Sequence, residues 1–178
     1  MSNTLVVNLF GGPCIGKSTL ATELYSELNK TEYSVELAHE FAKELCWDDS
    51  EELLKNQLYI LGNQLHRIDR LDGKVDIVIT DSPLLLSIVY NEWFNNLDAV
   101  NLEAHHRYNN FNVLLKRQNF SYDLKGRKHN LNEAVDIDWE IEKMLLDNRI
   151  LHWIYIHNNT NFDILYSKIL KEVKKIRK

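Results

Sequence analysis

A chain of 178 residues and 21.0 kDa holds one domain. At that length it can bury roughly 70% of the surface its unfolded form exposes, so folding needs no staples. Hydrophobic residues at 44% and charged residues at 26% exclude a disordered chain, a collagen and a coiled-coil rod. No apolar run approaches the roughly 18 residues of a membrane span, and two cysteines, Cys14 and Cys46, make no disulfide framework. A reducing cytoplasm is the expected compartment. The net charge of −5 is uneven, because residues 168–178 carry six basic side chains and one acid. That stretch reads as a solvated last helix whose lysines complement its dipole.

In chain order, the β-rich run Thr4–Phe10 predicts a buried strand ending in glycines, and 17–29 a helix. Ser34–Ala38 predicts a second strand. Leucines and isoleucines spaced by three and four predict one long amphipathic helix over Glu51–Leu71. Val75–Thr80 is the third predicted strand, followed by helical stretches at Leu84–Phe94 and 98–109. Asn112–Leu115 predicts the fourth strand, Asn132–Asn148 a helix, His152–Ile156 the fifth strand and 162–177 the last helix. Strands interleaved with helices imply parallel pairing and right-handed crossovers, hence a three-layer α/β sandwich.

The segment Gly11-Gly12-Pro13-Cys14-Ile15-Gly16-Lys17-Ser18 satisfies G-x-x-x-x-G-K-[ST], with Thr19 running on into the helix. An apolar strand precedes it, as this phosphate-binding motif requires. Glycines let backbone N–H groups wrap a polyphosphate, and the new helix offers its positive dipole end. Lys17 brings a point charge to the β- and γ-phosphates of ATP, and Ser18 a hydroxyl to Mg²⁺. The apolar run before Asp81 supplies a second, water-bridged metal carboxylate, although Asp-Ser-Pro also suits a helix cap. Ser82, where water-activating ATPases of the AAA type carry a glutamate, disfavours hydrolysis as the main task. Leu84 and the lack of Asn-Lys-x-Asp disfavour a regulatory GTPase.

Transfer to another acceptor needs a basic segment closing over the phosphates. Between Lys116 and Lys128 there are five basic residues and one acid. Arg117 and Arg127 are the candidates there, since a planar fork contacts two phosphate oxygens, with Lys125 and Lys128 behind them. The histidines form no metal constellation, and His152 and His157 read as packing or surface residues.

Together GGPCIGKST, VITDSPLL and KRQNFSYDLKGR resemble the small P-loop kinases or AAA-type ATPases of tailed bacteriophages. That group is similar to the ribosylnicotinamide kinase domain and, more distantly, to deoxynucleoside and deoxynucleotide kinases. The likeness spans nearly the whole chain. It implies a five-stranded parallel sheet in the order 2-3-1-4-5, a lid at about 116–130 and residence in a host cytoplasm. It also implies an acceptor facing the segment after the second strand, where Glu40 matches a glutamate that takes a hydroxyl proton. Glu40 equally suits the first turn of a following helix. Gln57 and Gln64 share a helix edge from which amides read a base. The expected acceptor is a nucleoside- or nucleotide-like small molecule, with a deoxynucleotide or a modified pyrimidine in DNA as particular cases. Asp81-Ser82-Pro83 departs from the Glu-Arg-Ser of deoxynucleoside kinases, which weighs against a plain nucleoside. The alternative from another class is an ATP-binding accessory protein with weak ATPase activity.

Overall fold

A computed structural model describes residues 2–48, 50–117, 131–157 and 159–177. Five strands, β1 (Leu5–Phe10), β2 (Val35–Ala38), β3 (Ile77–Thr80), β4 (Asn109–Leu115) and β5 (Trp153–Tyr155), form one sheet. Its order is β2-β3-β1-β4-β5 and every pair is parallel, as the resemblance implied. The helices are α1 (Lys17–Leu28), α2 (Phe41–Trp47), α3 (Gln57–Asp69), α4 (Leu86–Val89), α5 (Leu97–His106), α6 (Leu131–Asp147) and α7 (Asn159–Ile176).

Alternation along the strands assigns side chains to the two faces of the sheet. Leu5, Val7 and Leu9 pack with Leu20, Leu24 and Leu28 of α1 and with Leu165, Ile169 and Val173 of α7. Val6 and Val78 meet Leu61 and Ile68 of α3, while Phe10 and Leu114 meet Ile141 and Leu145 of α6. Both faces are therefore covered, which explains why the strands read as continuous apolar runs. The basic end of α7 is tied to the protein's own acids: Arg177 bonds Asp76 at 2.7 Å and Lys175 bonds Glu172 at 2.6 Å.

Two predicted helices are shorter than their apolar periodicity implies, and an asparagine ends each. The run from Glu51 is a 3-10 turn over Glu51–Lys55, and α3 starts only after Asn56. The Asn56 side chain accepts from the Tyr59 amide at 3.1 Å, so it caps a new helix rather than continuing the old one. After α4, Asn91 accepts from the Trp93 and Phe94 amides and donates to the Phe94 carbonyl, which folds 91–94 into a turn.

His105 lies 3% exposed at the end of α5. Burial, with a smaller contribution from neighbouring His106, pushes its pKa down to about 4. The folded chain keeps this ring neutral, whereas the unfolded chain protonates it near the ordinary value of about 6.5. Stability on this account is full above pH ~6.5 and falls toward pH ~4, by roughly 1.4 kcal/mol per unit. Urea unfolding between pH 7 and 4.5 should show that slope, and His105→Leu should flatten it. An unchanged slope in the variant would exclude His105 as its source.

Candidate active site

Parallel strands bring their carboxyl ends to one edge, and the register puts Phe10 beside Leu114 and Thr80 between Asn8 and Ala38. Gly11–Ser18, Asp81, Lys116-Arg117 and Glu40 all follow those ends, which is where open α/β sheets carry their sites.

The loop after β1 turns through three positive φ values, Gly11 at 146°, Cys14 at 60° and Gly16 at 96°. Gly16 is the N-cap of α1 and provides no side-chain cap, and the first turn of α1 holds no acid. Its N–H groups therefore open toward an anion. Lys17 Nζ donates to the Gly11 carbonyl at 2.6 Å and the Gly12 carbonyl at 2.9 Å, drawing the charge back over the loop. Pro13 and Cys14 are partly exposed and Ile15 turns into the core, while Ser18 and Thr19 in the first turn of α1 are exposed.

Ser18 Oγ donates to Asp81 Oδ2 at 2.5 Å. A hydroxyl and a carboxylate oxygen brought together in this way are hard donors that suit Mg²⁺ with most of its waters retained. The helix that follows, α4, has Leu85 at its N-cap and no side-chain capping bond, so Asp81 does not cap it; the Ser82 amide donates to Thr80 Oγ1 at 3.1 Å.

Two side chains to which the sequence gives no role in the site hold the loop. Asp138 on α6 accepts from the Gly12 amide at 2.7 Å, and His157, after β5, donates from Nε2 to the Ile15 carbonyl at 3.2 Å. A Cβ on Gly12 would stand 2.5 Å from Asp138 Oδ1 and 2.9 Å from the Ala134 carbonyl; one on Gly16 would stand 2.5 Å from His157 Nε2. These glycines make room for the protein's own side chains. His157 is thus a loop contact, more specific than the packing or surface role expected of it.

Arg117, at the end of β4, points at the loop: its Nε donates to Asp138 Oδ2 at 2.6 Å and its Nη2 to the Pro13 carbonyl at 2.8 Å. Lys116 pairs with Glu142 one turn further along α6. Arg127, Lys125 and Lys128 lie outside the described residues.

After β2, Glu40 is the N-cap of α2 with extended backbone, and its side chain makes no capping bond. Gln57 and Gln64 are both buried, at 6% and 2% exposure. The Gln64 amide is used within the fold. It accepts from the Phe41 amide at 3.1 Å and donates to Thr80 Oγ1 at 3.2 Å, with a longer 3.4 Å bond to the Ala38 carbonyl. Its expected role of reading a base gives way to holding β2, β3 and α2 together, since a buried amide must be satisfied. Gln57 Nε2 donates to the Leu54 carbonyl at 2.7 Å.

Gly12→Ala forces α6 away from the loop and is expected to lower the unfolding free energy by roughly 1–3 kcal/mol. Gly62, on α3 with nothing within 4 Å of an added Cβ, is the control. Gly62→Ala should raise stability by about 0.5–1 kcal/mol. Denaturant titration of both variants measures the contrast, and equal effects would rule out the clamp.

Among solved structures, "Crystal structure of APE1195" is similar at 18% identity and a TM-score of 0.49, covering 97% of this chain and 98% of that one. Shikimate kinase from Bacteroides thetaiotaomicron is similar at 13% identity and a TM-score of 0.47, covering 96% and 98%. Shikimate kinase from Aquifex aeolicus has 14% identity, a TM-score of 0.48 and 96% coverage of both chains. The likeness is one of fold alone. No curated protein sequence matches this one. Residues 6–160, from within β1 to the start of α7, match the family described as AAA domain, and this chain belongs to that family.

Proposed function

We propose that this protein is an ATP- and Mg²⁺-dependent phosphotransferase that moves the γ-phosphoryl group of ATP onto a hydroxyl of a nucleoside- or nucleotide-like acceptor. The observation that carries the reading is the Ser18–Asp81 contact of 2.5 Å at the start of α1, where Gly16 provides no side-chain cap, with Arg117 anchored on the Pro13 carbonyl of the same loop. That arrangement collects the groups a transferring phosphoryl needs and includes no glutamate beside Asp81 to activate water.

In this reading the loop from Gly11 to Thr19 holds the nucleotide phosphates. Lys17 leaves the Gly11 and Gly12 carbonyls for the β- and γ-oxygens. Ser18 and Asp81 would hold Mg²⁺, which when bound neutralises phosphate charge. Glu40 receives the proton of the acceptor hydroxyl as its oxygen bonds to the γ-phosphorus; the bond from that phosphorus to the β–γ bridging oxygen breaks, and ADP departs. Arg117, with Arg127 from the segment beyond the described residues, meets the charge on the equatorial oxygens. Gln57 lies on the acceptor side as a polar contact for the base, with Gln64 as its structural support. A deoxynucleotide or a modified pyrimidine in DNA is the finer acceptor class.

ATP turnover measured against a panel of nucleosides, nucleotides and modified DNA tests the reading. One member of the panel should stimulate turnover, and Lys17→Ala should abolish it. Turnover indifferent to every acceptor would favour an ATP-binding accessory protein instead. Arg117→Ala is expected to lower kcat on the order of 10²–10³-fold while changing nucleotide affinity far less. A loss confined to affinity would remove Arg117 from the transfer step.

A further inference from the structure

A single carboxylate joins the loop to the arginine. Asp138 Oδ1 accepts from the Gly12 amide at 2.7 Å and Oδ2 accepts from Arg117 Nε at 2.6 Å. Arg117 Nη2 reaches the Pro13 carbonyl at 2.8 Å. A guanidinium is planar, so holding Nε and Nη2 on two different oxygens sets the plane of the whole fork. The pair is also shielded, with side chains 16% and 20% exposed, whereas those of Lys116 and Glu142 beside it are 36% and 34% exposed. An arginine without such a partner has rotamer freedom that must be lost before it acts.

We propose that Asp138 is a positioning residue, which keeps the Arg117 guanidinium against the phosphate-binding loop so that it meets the transferring phosphoryl group already oriented. This rests on the phosphotransferase reading above. On nucleotide binding, Asp138 retains Nε, and the Nη2 bond to the Pro13 carbonyl is exchanged for one to a phosphoryl oxygen. The arginine thereby gains a charged acceptor without losing its anchor.

Because the two tasks of Asp138 fall on different oxygens, Asp138→Asn separates them. The asparagine carbonyl can still accept the Gly12 amide, but its NH₂ group faces Arg117 Nε donor to donor. The experiment is calorimetric binding of ADP, and of ADP with aluminium fluoride as a mimic of the transferring phosphoryl, both with Mg²⁺. It compares the wild-type chain, Asp138→Asn, Arg117→Ala and the double variant.

The wild-type chain should prefer the mimic by about 10²-fold or more. Asp138→Asn should lose about tenfold of that preference while ADP affinity stays within about twofold and the unfolding midpoint holds within a few degrees. In the Arg117→Ala background, Asp138→Asn should change nothing further. A full preference in Asp138→Asn, or the same loss with Arg117 absent, would overturn the proposal. Should the asparagine variant not fold, Asp138→Ser, whose hydroxyl also accepts an amide, is read by the same criteria. A wild-type chain with no preference for the mimic overturns the phosphotransferase reading and this proposal together, an outcome distinct from a wild-type preference that Asp138→Asn retains.

Discussion

The first turn of α1 ends in backbone N–H groups with no side chain of Gly16 to cap them and no acid to neutralise the dipole. A helix N-terminus carries partial positive charge on its first N–H groups. Around this positive end the chain gathers several polar side chains. Lys17 folds back over the Gly11 and Gly12 carbonyls, Ser18 meets Asp81, and Arg117 reaches the Pro13 carbonyl. The positive potential of the turn and two cations thus share a few residues of backbone, beside one carboxylate suited to a metal.

Holding so much like charge together requires a rigid frame, and α6 and the segment after β5 provide it. Asp138 and His157 grip the loop backbone at Gly12 and Ile15, where an added Cβ on Gly12 or Gly16 would collide with them. The acids of α6 also balance the basic residues leaving β4, Asp138 with Arg117 and Glu142 with Lys116. A net charge of −5 for the whole chain is therefore an average over an acidic body and a site edge where basic groups are individually tethered.

The loop between β1 and α1 was legible in the sequence because its pattern is local: glycines, lysine and serine stand within eight residues of one another. Asp81 was legible because an apolar strand must deliver it to the same edge. The two clamps were not. Asp138 reads as one more acid on an amphipathic helix, and its partner Gly12 lies 126 residues away. Gln64 shows the converse: its position on a helix edge invited a ligand role, yet the Phe41 amide and Thr80 hydroxyl beside it, brought close by folding, take up its amide. Asn56 and Asn91 ended helices that periodicity extended, because a side-chain bond to a nearby amide outweighed the apolar spacing.

By itself the sequence determined the alternation of strands and helices, the loop and its lysine, the metal-suited hydroxyl and the carboxylate ending the third strand. Each follows from spacings of a few residues, over which backbone geometry is set by local sterics and hydrogen bonding. The tertiary structure alone decided which acid meets Arg117, which amide is spent on the core and which glycines make room for side chains. Those pairings depend on how helices from distant parts of the chain pack over one edge of the sheet, and no local spacing encodes them.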